Sequence, residues 1–379
     1  MIAAALIVFV SLAIWLVLLF GRGWFWLLRE RDDRPVPDPA HWPAVTAVVP
    51  ARNEADGIAQ CVASLLAQDY PGALRVIVVD DQSDDGTAAV VRALGDERLE
   101  VLSGAPHPAG WTGKLFAVSQ GVARAGEAPD YLWLTDADIA HTPDNLRALV
   151  ARAEAGCYVL VSLMAKLRCE SFAERFLIPA FVFFFDMLYP FGWVNDPKHR
   201  TAGAAGGCML IRRTALERAG GIASIRAEII DDCAMGRVMK AQGPIWLGLT
   251  NRALSMRPYP RLADIHAMVS RSAYAQLSYS PLVLAGTVLG MILLYLAPLA
   301  GLFAGGLAAI FGALAWAAMT IAFQPMLHFY GRSPFWGLAL PVIGVFYAAF
   351  TVDSALQHWR GRGGMWKGRA QALAKVADE

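Results

Sequence analysis

The chain has 379 residues, of which 56% are hydrophobic and 17% charged, and its mean hydropathy is +0.42. This composition is too apolar for an ordinary soluble enzyme and too charged for a pure transporter. The net charge of +1 offers no global attraction to nucleic acid, so we expect no nucleic-acid partner. The charges are unevenly distributed, since no Asp, Glu, Lys or Arg lies between Arg271 and Arg332.

The first element predicted along the chain is an uncharged apolar segment at residues 1–20. Its length is the roughly 20 residues that a helix needs to cross a bilayer. A cleavable signal peptide would carry its positive charge before the apolar run and end in a small-residue cleavage site. Here the positive charges follow the run, at Arg22, Arg29, Arg31 and Arg34. We therefore predict a transmembrane anchor at residues 1–21, with the following residues on the cytoplasmic side of the inner (plasma) membrane.

After a proline-rich linker at residues 34–43, apolar runs typical of strands alternate with segments of helical spacing. The apolar runs are residues 45–51, 75–81, 99–102 and 131–136, and the helical segments are 57–68, 84–94, 112–125 and 143–155. This alternation predicts an α/β domain, at residues 44–277, with a doubly wound and mostly parallel sheet. Ligands bind outside the carboxyl ends of the strands in such sheets, so we expect the site there.

The C-terminal part of the chain is apolar again. Residues 281–300 and 302–323 are each long enough to span a bilayer, and residues 335–350 with their flanks allow a third crossing. We predict transmembrane helices at residues 280–356 and a basic tail at residues 357–379.

A further apolar stretch lies at residues 175–194. It contains Pro179, Asp186 and Pro190, which disfavour a clean span, so we predict an interfacial or re-entrant element. Three crossings after a cytoplasmic domain would place the basic tail outside, against the positive-inside tendency. Either one apolar stretch is re-entrant, or residues 175–194 cross the membrane.

Acidic residues follow two of the predicted strands. The sequence VVDDQSDDGT, at residues 78–87, contains Asp80 and Asp81, which on their own are as typical of helix caps as of ligand sites. Asp136 and Asp138 form a more specific pattern, because two carboxylates at a strand end can face one hard cation. Oxygen ligands suit Mg²⁺ or Mn²⁺, which bind one or two carboxylates together with substrate phosphates.

A third acidic cluster opens an amphipathic segment at residues 228–243. Asp231 and Asp232 lie at its start. Carboxylates at a helix N-terminus are favoured by the helix dipole, which is one interpretation. The other is a general base directed at an acceptor hydroxyl.

The order and spacing of these motifs resemble the inverting family 2 glycosyltransferases. The motifs are VPARNEADGI, VVDDQSDDGT, LTDAD, the GGCMLIR segment at residues 206–212 and the Asp-Asp before an R-x-x-K-x-x-G helix, over about residues 45–277. The resemblance implies a Rossmann-like GT-A domain. The element Trp111-Thr-Gly-Lys114, followed by Ala117, resembles the W-x-G-K-x-x-A of members that act on lipids, such as ceramide glucosyltransferases and carotenoid glycosyltransferases. With the membrane layout and the tail GMWKGR, the closest likeness is to hopene-associated, or hopanoid-biosynthesis, glycosyltransferases.

The resemblance implies donor-binding roles for residues that match the family's motifs. Those expected to line the nucleotide-sugar pocket are Pro50, Arg52, Glu54, Asp80, Asp81, Lys114, Asp136 and Arg271. Asp81 or its neighbour Asp80 would read the uracil edge, and Lys114 would approach the donor phosphates. Asp136 would lie over the sugar and ribose, and Asp138 would hold the metal ion.

The acceptor side is implied in the same way. Asp232 would be the base with Asp231 beside it, and Gly206 and Gly207 would let the acceptor approach the backbone closely. Processive members carry Q-x-x-R-W, whereas this chain has Met-Val-Ser-Arg-Ser at residues 268–272, which disfavours a polymer-forming enzyme. Arg271 would clamp the diphosphate or act as a juxtamembrane anchor.

Together these patterns predict a membrane-anchored inverting glycosyltransferase. It would move a single sugar from a nucleotide-diphosphate sugar, UDP-linked by expectation, to a hydroxyl of a membrane lipid, with a hopanoid as the candidate acceptor. One alternative is a polysaccharide or polyprenyl-phosphate sugar transferase on the same scaffold. Another is a catalytically silent membrane scaffold that binds nucleotide sugars, against which the intact Asp138 and Asp232 count.

Overall fold

The computed structural model describes residues 2–366 and 369–370. Within them the chain divides into two compact units. The apolar unit comprises residues 2–29, 169–192 and 259–364, and the α/β unit comprises residues 30–168, 193–258 and the described residues from 365 onward. Residues 367–368 and 371–379 of the predicted basic tail lie outside the described residues.

The β-strands are short and almost all belong to one sheet of the α/β unit. They are β1 Val45–Ala51, β2 Leu74–Asp80, β3 Leu99–Ser103, β4 Tyr131–Thr135, β5 Ile139–His141, β6 Leu160–Lys166, β7 Cys208–Arg212, β8 Ile245–Ser255, and the separate pair β9 Met365–Trp366 and β10 Arg369–Ala370.

The helices differ in length between the two units. The α-helices are α1 Ile2–Gly21, α2 Ile58–Leu66, α3 Thr87–Arg92, α4 Gly113–Ala125, α5 Asn145–Ala155, α6 Phe172–Leu188, α7 Phe191–Asn195, α8 Arg213–Arg218, α9 Asp231–Lys240, α10 Leu262–Ser270, α11 Ala273–Gln276, α12 Pro281–Met291, α13 Ala297–Ala304, α14 Gly306–Phe329 and α15 Leu340–Trp359. Shorter 3₁₀-helices lie at Phe25–Leu27, Ile222–Ile225 and Pro334–Ala339, and a π-helix at Ile292–Leu296 joins α12 to α13.

The sheet of the α/β unit has eight strands among the described residues, in the order β3-β2-β1-β4-β7-β6-β8-β5. Strands β3, β2, β1 and β4 are parallel neighbours, and β7 runs antiparallel to both β4 and β6. The predicted α/β fold with a mostly parallel sheet is confirmed. Every residue of β1 and β4 is buried, which explains why their sequences are continuous apolar runs rather than alternating ones.

The apolar unit contains four helical segments that are long and apolar enough to cross a membrane. Judged by length and composition among the described residues, they are Ile2–Gly21, Pro281–Ala304, Gly306–Phe329 and Pro334–Trp359. The boundary between the second and third segments lies later than predicted, because Gly305 and Gly306 both have positive φ, of 70° and 54°, and separate the two helices.

The stretch predicted to be interfacial forms helix α6. Its start carries a capping box between Ser171 and Glu174, and the helix continues through Pro179. The buried carboxylate of Asp186 accepts a hydrogen bond from the backbone N–H of Phe191 at 3.0 Å, so it serves the start of α7. The placement of α6 at a membrane interface stays a prediction.

Residues 259–277, which the sequence pattern assigns to the catalytic domain, group with the apolar unit. Hydrogen bonds within that unit explain the difference. The hydroxyl of Ser270 donates to the carbonyl of Phe350 at 3.2 Å, and the backbone N–H of Tyr274 donates to the hydroxyl of Ser354 at 3.0 Å. These contacts join α10 and α11 to α15, a pairing that no local pattern reveals.

Candidate active site

Lys114 connects two acidic motifs that are far apart in the sequence. It lies in the first turn of α4, which begins after Thr112, whose hydroxyl accepts a hydrogen bond from the backbone N–H of Leu115. Its Nζ lies 2.9 Å from an oxygen of Asp136 and 3.0 Å from an oxygen of Asp231. Burial lowers the pKa of Lys114, but the two carboxylates outweigh burial and raise it well above its ordinary value. The lysine is therefore charged and fixed between the β4 end and α9.

Asp232 is held by backbone amides rather than by a cation. The N–H of Gly206 donates to Oδ2 at 3.1 Å, and the N–H of Cys233 donates to Oδ1 at 2.7 Å. Burial, together with the negative charge of Asp231, raises the pKa of Asp232 to about 6. At neutral pH the carboxylate is therefore mostly ionised and able to accept a proton. Of the acidic pair, Asp231 contacts Lys114, whereas Asp232 contacts the loop at residues 203–207, called here the glycine loop.

Gly236 determines how closely that glycine loop approaches α9. A Cβ on Gly236 would lie 2.6 Å from the carbonyl carbon of Gly203, which is too close for any other residue. The loop backbone can therefore reach the start of α9, where Gly206 contacts Asp232. A Cβ on Gly206 would meet the Nζ of Lys114 and the Cβ of Asp232, both at 3.5 Å. The predicted acceptor glycine thus lies beside both charged groups.

Asp136 and Asp138 follow β4 as predicted, but each has a different cationic partner. Asp136 pairs with Lys114, whereas Asp138 Oδ2 accepts a hydrogen bond from Nε of Arg257 at 2.6 Å. Arg257 also donates through Nη2 to Oε1 of Glu54 at 2.8 Å. Sequence reasoning missed Arg257. Its position two residues after the end of β8 was the available signal, because side chains at strand ends of an α/β sheet are site candidates.

The β1 and β2 ends meet through Arg52 and Asp81. Nη1 of Arg52 donates to the carbonyl of Asp81 at 2.6 Å and lies 3.7 Å from the carboxylate of the same residue. Among the described residues, Asp80 Oδ1 and Arg52 Nε are buried without a hydrogen-bond partner. The hydrogen-bonding capacity of these two buried atoms is therefore unused at this edge of the sheet.

The rest of the VVDDQSDDGT motif is structural. Asp85 accepts hydrogen bonds from the backbone N–H of Ala55 at 2.9 Å and of Thr87 at 3.0 Å. The hydroxyl of Ser83 accepts from the backbone N–H of Asn53 at 3.0 Å. These bonds fasten the loop after β1 to the loop after β2.

A chain of buried hydrogen bonds connects α5 to the end of β4 and to the residue before β7. Asn145 Nδ2 lies 2.9 Å from His141 Nδ1, and His141 Nε2 lies 2.9 Å from the hydroxyl of Thr135, which donates to the carbonyl of Gly207 at 2.8 Å. Burial lowers the pKa of His141 to about 3, so the ring is neutral. Because the Asn145 amide donates to Nδ1, the single ring proton sits on Nε2 and points at Thr135. The chain therefore fixes both Thr135 and Gly207.

A pocket in the α/β unit brings several predicted residues together. It is lined by apolar side chains of α4, β4, β7 and α9 and by Pro50, Lys114, Asp136, Gly206 and Asp231. The residues predicted to bind the donor at the ends of β1 and β2 are Arg52, Glu54, Asp80 and Asp81. Arg271 follows α10 in the apolar unit, so its predicted role at the diphosphate stays a prediction.

Comparison with known proteins assigns the first part of the α/β unit to a family. Residues 46–220 match the family model of Glycosyl transferase family 2. These residues are a family 2 glycosyltransferase domain. The matched segment contains the β4 acidic pair and Lys114, and it ends before α9 and Arg257.

Two curated relatives are similar to parts of this chain. An N-acetylglucosaminyltransferase of Mesorhizobium japonicum is 30% identical over 48% of this chain and 42% of its own length. A 4,4'-diaponeurosporenoate glycosyltransferase of Staphylococcus aureus is 35% identical over 28% of this chain and 27% of its own. The chain thus spans less than half the length of these relatives.

The fold extends beyond the matched segment of the glycosyltransferase domain. The mannosyltransferase of Pyrobaculum calidifontis, solved with GDP-Man and Mn²⁺, aligns with a TM-score of 0.56 at 21% identity, over 94% of this chain and 98% of that one. At this identity the likeness shows the GT-A fold.

Proposed function

We propose that the chain transfers a single sugar, with inversion, from a nucleotide-diphosphate sugar to a hydroxyl of a membrane lipid. The observation that carries the proposal is the position of Lys114 within 3.0 Å of both Asp136 and Asp231, with Asp232 as the neighbour of the latter. One charged group thereby joins the strand end that binds donors in this fold to the helix that offers a base.

The reaction proposed is an in-line displacement at the anomeric carbon. Asp232 accepts the proton of the acceptor hydroxyl while that oxygen forms a bond to the anomeric carbon. The bond from this carbon to the diphosphate oxygen breaks, and the diphosphate leaves with the electron pair. The two amides that bind Asp232 keep its carboxylate oriented, and Lys114 holds the carboxylates of Asp136 and Asp231 beside it through two ion pairs.

Mg²⁺ or Mn²⁺ is proposed as the cofactor. The described residues contain no cluster of three or more His, Cys, Asp or Glu side chains that could hold a metal ion. Asp138 nevertheless fits one chemically, because hard cations bind one or two carboxylates together with substrate phosphates, and this carboxylate already binds a cationic group. Asp138, with Asp136 two residues before it, would hold the ion. When bound, the ion neutralises charge on the leaving diphosphate.

The donor is proposed to be UDP-linked. The buried Oδ1 of Asp80 has no partner among the described residues, and a carboxylate oxygen accepts the N–H that a uracil edge presents. Asp81 is the alternative reader, although its carboxylate lies 3.7 Å from Arg52. Competition of UDP, GDP and ADP for a labelled donor tests the base, and a preference for GDP would contradict the uracil assignment.

A membrane lipid is proposed as the acceptor, with a hopanoid as the first candidate. Four helical segments are apolar enough to span, and several of their large side chains point outward, with Phe303 92% and Leu282 85% exposed. Such exposed apolar surface is typical of contact with lipid. The Trp111-Thr-Gly-Lys114 element, similar to that of lipid-modifying members, also supports the proposal. We place the α/β unit in the cytoplasm at the inner membrane, which a reporter fused near Ala125 would test.

The deciding experiment is transfer by the purified full chain in lipid vesicles. Labelled UDP-sugar and Mg²⁺ are supplied with total membrane lipid, and mass spectrometry identifies the product, with the Asp232→Asn variant as control. A glycosylated lipid that is absent from the control supports the proposal. A product on polyprenyl phosphate or a growing polysaccharide would favour those alternatives, and binding without sugar release would favour a silent scaffold.

A further inference from the structure

Arg257 bridges two carboxylates that come from different strand ends. Its Nε donates to Asp138 at 2.6 Å and its Nη2 donates to Glu54 at 2.8 Å. Glu54 lies in the loop after β1, and Asp138 lies in the loop after β4. The guanidinium is thus the cation at which the two loops meet.

The exposure of the three side chains shows which of them faces outward. The side chain of Arg257 is 36% exposed, compared with 17% for Glu54 and 21% for Asp138. The two carboxylates therefore lie on the more buried side of the cluster, whereas the arginine lies on the side that faces solvent. An arginine in this position can leave without unpacking a core, because its long side chain is flexible and its head is partly hydrated.

The charges explain why a cation is needed there. Glu54 and Asp138 carry two negative charges, and a nucleotide diphosphate would add at least two more beside them. A divalent cation at Asp138 and the guanidinium of Arg257 cannot occupy the same carboxylate oxygen. Two positive groups on one carboxylate repel each other, so a metal ion at Asp138 favours release of Arg257, and a diphosphate offers the guanidinium an equivalent bidentate partner.

We propose that Arg257 is the resident cation of the donor site and exchanges with the metal ion. Without donor, it neutralises Glu54 and Asp138 and keeps metal affinity low. With donor, it pairs with the diphosphate, and Asp138 becomes free for Mg²⁺ or Mn²⁺. Donor and metal then bind cooperatively. The inference rests on the proposed function, since it names the group that couples metal to donor in that same site.

The test measures Mn²⁺ binding to the purified full chain without donor, from the spin-resonance signal of the free ion. The Arg257→Met variant should bind Mn²⁺ about tenfold more tightly than wild type, because a competing positive charge within 3 Å is gone. Adding Asp138→Asn to it should abolish the gain. Arg147→Met is the matched control, because it removes an arginine that pairs with Asp38 elsewhere in the α/β unit, and its Mn²⁺ affinity should be that of wild type.

The second arm measures UDP binding in the presence of Mn²⁺. UDP should tighten Mn²⁺ binding to wild type and do so much less in Arg257→Met. Arg257→Lys should recover part of this effect, because it keeps the positive charge but not the paired N–H donors of the guanidinium. The exchange is refuted if folded Arg257→Met binds Mn²⁺ no more tightly than wild type. If that variant does not fold, the same comparison with Arg257→Gln, which also removes the charge, decides. Failure of wild type to bind UDP at any Mn²⁺ concentration would instead refute the proposed function.

Discussion

The backbone N–H of Gly206 donates a hydrogen bond to Oδ2 of Asp232 over 3.1 Å. The residues are 26 positions apart, yet this bond and the one from Cys233 use both oxygens of the carboxylate. An asparagine at this position has a single side-chain oxygen, so it can satisfy only one of the two amides. The geometry thus makes the Asp232→Asn exchange more demanding than simple replacement of a helix cap.

Asp232→Asn should lose turnover by roughly 10²–10⁴-fold, because the proton acceptor is gone. Its affinity for UDP-sugar should stay close to wild type, and its unfolding free energy should fall by about 1–3 kcal/mol for the amide left without a partner. Turnover measured under single-turnover conditions, together with calorimetric UDP binding, checks this.

Asp231→Asn is the internal comparison and should lose less turnover, because Asp231 contacts Lys114 and is not the proton acceptor. The opposite order of the two variants would make Asp231 the base. Normal turnover in both would remove the base from α9 altogether.

Activity and stability should respond to pH in opposite directions. The pKa of Asp232 is raised to about 6, and a base acts only when ionised, so kcat/KM should rise through pH 6 and level off above it. The folded state holds this proton more tightly than the unfolded chain does, so the contribution of Asp232 to stability is lost as pH rises from about 4 to 6. Rate profiles and melting curves of wild type and Asp232→Asn should differ in this window, and identical profiles would contradict the assignment.

Lys114→Met should reduce turnover by about 10²–10³-fold, since the carboxylates of Asp136 and Asp231 would face one another without a cation. UDP-sugar binding should weaken as well. Lys240→Met is the control on α9, because its Nζ donates to the backbone carbonyls of Trp193, Val194 and Thr201. That variant should lose stability and keep its affinity for the donor. Equal donor affinities in the two variants would argue against a site role for Lys114.

Thr135→Val tests the buried hydrogen-bond chain. The change removes the hydroxyl that accepts from His141 and donates to Gly207, so kcat should fall about tenfold while KM for the donor is unchanged, as for a group that positions others. Thr135→Ser restores the hydroxyl and should recover the rate. Thr142→Val, which removes a hydroxyl bonded to Asp144, is the matched control and should be silent. A loss confined to thermal stability would make the chain purely structural.

Chelation should abolish UDP-sugar binding, and Mg²⁺ or Mn²⁺ should restore it. Asp138→Ala should lose this response, whereas loss of a mere turn residue would cost about 1 kcal/mol of stability and leave binding intact. Titration calorimetry with and without chelator measures both. Full binding of the nucleotide sugar in chelator would contradict the metal assignment.

The parts of the fold that local pattern determines were predictable from the sequence. Strand β1 lies at residues 45–51 as predicted, because a strand buried on both faces must be a continuous apolar run. The arrangement of the strands was not predictable, since the antiparallel insertion of β7 depends on pairing between distant segments. The same holds for the residues of the candidate site. Asp136 and Lys114 belong to motifs that are recognisable in the sequence. Arg257 belongs to none, and only the folded position of the β8 end brings it to Asp138 and Glu54.

The turn at Gly305 and Gly306 makes a hairpin of two long apolar arms. Pro281–Ala304 and Gly306–Phe329 have 24 residues each, or about 36 Å of helix, against a hydrocarbon layer of about 30 Å. A Cβ on Gly312 would lie 2.4 Å from the carbonyl oxygen of Pro298, so the arms pack backbone to backbone. In the membrane placement proposed above, arms of this length would reach the far surface with a modest tilt, whereas a hairpin that returned halfway would need arms of about half this length. A cysteine placed at residue 305 should therefore react with a reagent applied to the side opposite residue 125.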